Sequence, residues 1–548
     1  MKRKRIKKTL SLFLTAALAL SAGTISAAAA QTDSYYAVGT EDGGSVENGG
    51  SVEDGGFELP ERYSSVDMGY VTPVKAQDYS SCWAYASMAT LESTLLHDGN
   101  EIGDMSTNHL NMWATTRSNG KGWIRNVFKD GFTLIALGYM TSWQGGVLTS
   151  DLGEYPLDTN VKGDQVPTDL ARYGVTAARY LNRGDFDIIK QAIYDHGGVF
   201  TSYAHSGACM NAGNTAYYMP ESYNDYYSGH SIEVVGWNDN FPRTSFSAID
   251  DERPENNGAW LIKGSWGDNN SLGGYYWISY EDKYLFSSKF APSYALLSYE
   301  KIDNSKKLVQ NEIYGATYEF KYVKSKTLTY LNRLHFDSDF NVIDKVVFET
   351  TAAGASYSIY FVPDGSDETP DNDTSVWTKL GEGTVDYEGY ICADIEDFEY
   401  PSENGSIAVT IDASGTDINS SIGVGEWLTY NSNEVFTNES GRGESYIIDG
   451  GTAQDLMDWY LDNNQDDIGG TFVIKAVTKK HYLPTLLGDS NLDGKVNIND
   501  VTHIQRHLAE LITLDKTAAA NADFNRDGKI TVDDVTKLQR FLAGFEDE

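Results

Sequence analysis

Residues Val71 to Ser87 read VTPVKAQDYSSCWAYAS, and the cysteine at position 82 decides how the rest of the chain is read. The thiol stands after a short polar loop and directly before a helix-forming run. A helix N-terminus carries unpaired N–H groups and a partial positive charge, and both favour a thiolate. The pattern is that of a nucleophile presented at the start of a helix. The chain holds only three cysteines, Cys82, Cys209 and Cys392, so at most one internal disulfide is available.

Further along, Ser228 to Trp237 reads SGHSIEVVGW, and Gly258 to Gly267 reads GAWLIKGSWG. These segments, with the one around Cys82, resemble the catalytic segments of papain-like cysteine peptidases. The resemblance implies that Cys82 is the thiolate, that His230 exchanges its proton, and that Gln77 with the Cys82 N–H stabilises the oxyanion. His230 follows Cys82 within the roughly 130–150 residues of papain-type chains. Trp266 corresponds to the indole that covers the site. Gly131, in Lys129-Asp-Gly-Phe132, falls where the family pairs with substrate backbone, although ordinary packing accounts for that strip equally well. His205 and His109 are the rival histidines: His205 is read in a loop beside Cys209, His109 as part of a structural helix.

Two departures from the family pattern stand out. Four residues separate Gln77 from Cys82, one fewer than usual, and the loop cysteine is missing near Tyr79 and Ser80. Gly264 stands where the family has the asparagine that orients the imidazole. A Cys82–His230 thiolate–imidazolium pair can work without it, at a lower rate.

At 548 residues the chain is long enough for several modules. Lys2 to Lys8 and the apolar Leu10 to Leu20 read as a secretory signal ending near Ala28 to Ala30, and no second segment reads as a membrane span. A flexible leader rich in Gly, Ser and acidic residues follows, with the duplicated GGSVENGGSVEDGG at Gly43 to Gly56. The formal charge of −37 leaves no basic stripe, which excludes nucleic acid as a partner. These features predict a secreted, extracellular protein.

The fold class expected is multidomain. An α+β papain-like peptidase domain (59–298) follows the signal (1–30) and leader (31–58). Short alternating runs such as Tyr357 to Val362 and Ser406 to Ile411 then predict a β-sandwich accessory domain (299–480), similar by position to a lectin-like domain.

In the last segment (481–548), Asp489 to Leu508 and Asp523 to Leu542 are two copies of one unit. Each opens on a loop with oxygen ligands at positions 1, 3, 5, 9 and 12, a carbonyl at 7 and glycine at 6, a Ca²⁺-wrapping pattern. The candidate ligands are Asp489, Asn491, Asp493, Lys495, Asn497 and Asp500, then Asp523, Asn525, Asp527, Lys529, Thr531 and Asp534. With aspartate at position 12, the unit resembles a type I dockerin, a small α-helical module. The resemblance implies two Ca²⁺ ions, a cohesin partner on a scaffolding protein, and residence on a cell-surface cellulosome. Ile498, Asn499, Val532 and Asp533, with the exposed helix residues Thr502, His503, Arg506, Thr536, Lys537 and Arg540, are the candidate contacts.

The reading is therefore a secreted cysteine endopeptidase that hydrolyses peptides, needs no cofactor for catalysis, and docks through its C-terminus. The rivals are an impaired protease fold used for binding, because of Gly264, and carbohydrate binding by the sandwich.

Overall fold

The computed structural model describes residues 58–545, except 154–159, 227, 288–291, 316–317, 320–324, 338, 341, 364–373, 401–403, 417–423, 428–435, 438–440, 463–469 and 481–485. The stretches read as signal and, apart from Glu58, as leader lie outside the described residues. No described helix is long and apolar enough to cross a membrane.

Helix α1 (Cys82–His97) starts on the cysteine itself and is free of glycine and proline. From Trp83 to Leu95 all but Tyr85 are buried, so α1 is a core helix rather than a surface one. Thr90 and Thr94 return their hydroxyls to the carbonyls four residues back, which keeps polar groups satisfied inside it. Around α1 lie α2 (Thr107–Trp113), α3 (Thr133–Thr141) and α4 (Phe186–His196).

The strands of this region are β1 (Tyr173–Leu181), β2 (Val199–His205), β3 (Ser228–Asn238), β4 (Ala259–Lys263), β5 (Tyr275–Ser279) and β6 (Ser293–Lys301). Beyond them, β7 (Lys306–Gln310), β8 (Val342–Thr350), β9 (Gly389–Glu399) and β10 (Ile474–Lys479) continue the same sheet, in the order β7-β10-β8-β9-β1-β6-β2-β3-β4-β5. The segment that reads as a separate accessory domain thus shares a sheet with the peptidase-like part.

The seam lies between β9 and β1, where Gly389 pairs with Arg179 and Tyr390 with Ala178. Gly389 has a φ of +130°, and a Cβ there would sit 2.2 Å from the Ala178 carbonyl oxygen, so only glycine permits this approach. Val347, Tyr390 and Val473 from beyond the seam enter one core with Trp83, Leu91 and Tyr294.

A buried ion pair backs the seam. Lys475 on β10 and Glu312 are both fully buried, 2.7 Å apart, and Lys475 also reaches the Ser142 hydroxyl at 3.1 Å. Burial pushes the Glu312 carboxyl up, and Lys475 opposes that shift. Removing one partner of a buried pair strands the other. Lys475→Ala is accordingly expected to lower stability by about 3–5 kcal/mol, read as an earlier urea midpoint.

Against β7 to β10 packs a six-stranded sheet ordered Thr378–Thr384, Ser356–Pro363, Asn404–Asp412, Thr327–His335, Ser445–Ile448 and Gln454–Asp455. Inward residues of both layers, among them Val346, Phe348, Ile391, Ile359, Val409 and Leu328, form one core. The sandwich is there, with one of its layers continuous with the peptidase-like sheet. A short helix, Leu456–Asp462, breaks the otherwise all-strand expectation.

The C-terminal repeat forms α5 (Ile498–Leu508), α6 (Lys516–Ala522) and α7 (Val532–Leu542), with Val501, Ile504, Leu514, Ala518, Ala522, Val535 and Leu538 as its small core.

Candidate active site and calcium loops

Helix α1 opens without a side-chain cap, so its first N–H groups are available to the site. The Ser81 carbonyl accepts from Ala84 N–H at 2.9 Å and from Tyr85 N–H at 3.1 Å, leaving the N–H groups of Cys82 and Trp83 outside the helical ladder. The Trp83 N–H, the Ser231 N–H and the Ser231 hydroxyl all turn to the Cys82 sulfur. Ser231 is the neighbour of His230 on β3, so the packing of α1 on that strand brings thiol and imidazole to one place.

His230 is almost fully buried. Its ring stacks on Trp266 at 4.3 Å and 13°, and the Tyr203 ring meets it edge-on at 5.8 Å. Its Nε2 is buried with no hydrogen-bond partner among the described residues. At the position of the orienting amide Gly264 has no side chain, and an ideal Cβ on it would come within 3.0 Å of Cε1 of Tyr276. The space beside residue 264 is filled by a phenol from the next strand.

Burial dominates the electrostatics. It lifts the Cys82 thiol, against the Ser231 and Trp83 donors that pull it down. It lowers His230 to about 3, with nearby His205 adding to the effect. Burial of both groups, with no described partner for the Nε2 proton, works against the expected resting thiolate–imidazolium pair, since each charged form would be desolvated.

Gln77 is held at both ends. Its Nε2 donates to the Tyr79 carbonyl at 2.9 Å, and its Oε1 accepts the Ser265 hydroxyl at 2.6 Å. These bonds, with that from the Ser81 hydroxyl to the Asp78 carbonyl, close the loop. Tyr79 sits at a φ of +60° with its ring 4.3 Å from Phe128. All three cysteines are free. Upstream, Lys75 and Thr72 anchor the same segment to buried Glu92 of α1, at 2.8 and 2.5 Å.

Gly131 lies against the Trp83 indole, which a Cβ would enter at 2.3 Å. Arg125 lies over the same indole at 5.0 Å and donates to the Lys129 and Asp130 carbonyls, holding the strip in place.

The rival histidines separate. His109 is structural, with its ring nitrogens 2.6 Å from the Tyr139 hydroxyl and 2.7 Å from the Pro167 carbonyl. His205, expected in a loop, ends strand β2 opposite Ser228, and its ring lies 4.9 Å from Trp266. It lines a cleft of about 220 Å³ with Met210, Asn214, Trp266, Asn270 and Tyr276. Tyr276, Tyr203 and Ser231 are the site residues that sequence reasoning missed. The signal for Tyr276 was a bulky residue on the strand paired with the one leading to Gly264.

The two C-terminal loops share one pattern of backbone N–H bonds to their aspartates. Asp489 accepts from the N–H groups of Asp493 and Gly494 at 3.1 and 2.8 Å, and Asp523 from those of Asp527 and Gly528 at 3.1 and 2.9 Å. Leu492 and Arg526 share a φ near +60°, as Gly494 and Gly528 share one near +80°. Asp500 and Asp534 close capping boxes with Asn497 and Thr531. Asp489, Asp500 and Asp534 are buried, and no salt bridge to a described cation neutralises them. An all-oxygen set with uncompensated buried carboxylates fits Ca²⁺. Ile498 and Val532, equivalent in the two repeats, are 62% and 68% exposed. His503, expected to be exposed, is half-buried, with its ring bound to the Ser490 carbonyl at 2.8 Å.

Three family models match the chain in order: papain family cysteine protease over residues 59–294, lectin like domain over 308–478, and dockerin type I domain over 487–543. The clostridial cysteine protease Cwp84 after propeptide cleavage is similar at 33% identity and a TM-score of 0.68, over 77% of this chain and 99% of that one. The protease and lectin-like domains of Cwp84, a surface layer associated protein of Clostridium difficile, match at 32% identity and a TM-score of 0.67, over 78% and 90% of the two chains. Procathepsin L of Felis catus is 23% identical over 40% of this chain, which spans 60% of that protein's length. Endo-1,4-beta-xylanase Y of Acetivibrio thermocellus is 35% identical over 71 residues, 13% of this chain and 7% of the xylanase.

Proposed function

Because the chain belongs to the papain family of cysteine proteases, with a lectin-like domain and a type I dockerin after the protease fold, we propose that it is an exported cysteine endopeptidase carried on a cohesin-bearing scaffold. The observation that supports this reading best is the thiol at the first residue of α1, against the strand that carries Trp266-stacked His230.

The Cys82 sulfur attacks the scissile carbonyl while its proton passes to His230. The oxyanion is held by the Cys82 N–H and by the Gln77 Nε2 hydrogen left over from the Tyr79 bond. His230 returns the proton to the departing amine, leaving a thioester. Water then loses a proton to His230, adds to the thioester and releases the acid, and Cys82 recovers its hydrogen. The dockerin loops would hold Ca²⁺ through the side-chain oxygens and carbonyls named above, and the metal would supply folding energy rather than chemistry.

The test is hydrolysis of labelled casein by the full chain. Cys82→Ala and His230→Ala are each expected to lower the rate by about a thousandfold or more. One observation favours a second reading, an impaired protease fold that binds without cutting: the unpartnered His230 Nε2. Casein turnover no faster in the wild type than in Cys82→Ala would select it.

A further inference from the structure

Two features beside the thiol have no account in the mechanism above: the unpartnered Nε2 of His230, and the phenol that fills the space at Gly264. Both belong to one cluster. Trp266 is parallel to the His230 ring at 4.3 Å and to the Tyr276 ring at 6.0 Å. The Tyr276 hydroxyl lies 3.1 Å from the Tyr203 hydroxyl, which lies 3.1 Å from Nδ1 of His205. Tyr203 also presents its edge to the His230 ring.

Burial holds His205 below its usual range, and in the neutral tautomer with its proton on Nε2 the Nδ1 accepts. In that tautomer Tyr203 donates to His205, which leaves its oxygen to accept from Tyr276. The Tyr276 oxygen keeps a free lone pair for one more donor.

We propose that Tyr276 is the positioning residue for His230: its hydroxyl oxygen accepts the Nε2 hydrogen once the imidazole has taken the Cys82 proton, replacing the side chain that Gly264 lacks. No covalent bond changes. The Cys82 proton moves to the imidazole, and the Nε2–H is received by a hydroxyl that is already donating elsewhere. The bond is open at rest, where Nε2 has no described partner, so the site would stabilise the ion pair only when it forms. This inference rests on the Cys82–His230 reading, and one of its readouts does not require turnover.

The experiment uses the full chain with Tyr276→Phe, which keeps the ring and removes the oxygen. Casein kcat is expected to fall roughly tenfold or more with KM unchanged, as for losing a hydrogen bond to a charged group. Alkylation of Cys82 by iodoacetamide is expected to fall by a similar factor at pH 5, where it reports the ion pair. At pH 9, where the free thiolate reacts, it should be unchanged. In Gly264→Asn/Tyr276→Leu the new amide has the vacated space, and both readouts are expected to return to within about threefold of wild type.

Tyr276→Phe with wild-type values throughout would overturn the proposal. So would equal losses at pH 5 and pH 9 with a lower melting temperature, which would mark the phenol as mere packing. A wild type that cuts no casein but shows the pH-dependent alkylation split leaves the positioning role standing and rejects the peptidase reading.

Discussion

Chelating calcium is expected to unfold residues 487–543 while the protease and lectin-like parts keep their structure. The C-terminal module has only seven buried apolar side chains in its core, too few to hold a segment of this size by themselves. It also buries Asp489, Asp500 and Asp534 without a neutralising salt bridge among the described residues. In the loops these carboxylates accept backbone N–H groups, which orient them but do not offset their mutual repulsion. A divalent ion removes that repulsion. It also secures the capping boxes, since Asn497 with Asp500 and Thr531 with Asp534 are at once loop ligands and helix caps. Without the ion, α5 and α7 lose their first turns and the core opens.

Excess EGTA should therefore remove helical circular dichroism from the full chain, open sites in 487–543 to protease, and abolish capture by immobilised cohesin. Casein hydrolysis should persist. Asp489→Ala/Asp523→Ala is expected to reproduce the loss of capture even in saturating calcium. Helical signal and capture that survive EGTA would refute the metal assignment.

What could be read in advance follows from how local the causes are. The helix at Cys82 and the strands around Tyr357 to Val362 and Ser406 to Ile411 were legible because turn residues and alternation sit next to the elements they delimit. The loop ligands were legible because duplication repeats a spacing. The seam between β1 and β9 was not, since pairing between strands so distant in the chain leaves no mark on either. Gly389 carried a trace of it, but a glycine in a strand has several explanations. At the site, the absence at Gly264 was visible and its consequence was not. That required knowing that Tyr276 enters the space, and that α1 and β3 bury His230 deeply enough to make its charged form costly. His205 was misplaced for a related reason: its strand end is defined by pairing with Ser228, not by its own neighbours.

Alkylation of Cys82 is expected to accelerate steadily toward alkaline pH, in contrast to a thiol held as a preformed ion pair. A preformed pair is reactive wherever the imidazole is charged, giving a broad acid plateau. Here burial raises the thiol and lowers His230 to about 3, and both shifts favour the neutral forms. The free thiolate then grows about tenfold per pH unit, and the iodoacetamide rate should follow it from about pH 6 to pH 9. Below pH 6 a low floor should remain, set by the small population of ion pair, and His230→Ala should remove that floor while sparing the alkaline limb. The same burial acts on the fold. A histidine depressed from 6.5 contributes stability that is fully present above pH 6.5 and is lost as pH falls toward about 3, because the unfolded chain takes up the proton first. His109, also buried and lowered, acts in the same direction. Acid should thus destabilise the protein over the range where a preformed pair would be most reactive. A rate that is flat and high from pH 5 to pH 8 would show that the imidazolium finds a partner in the resting enzyme.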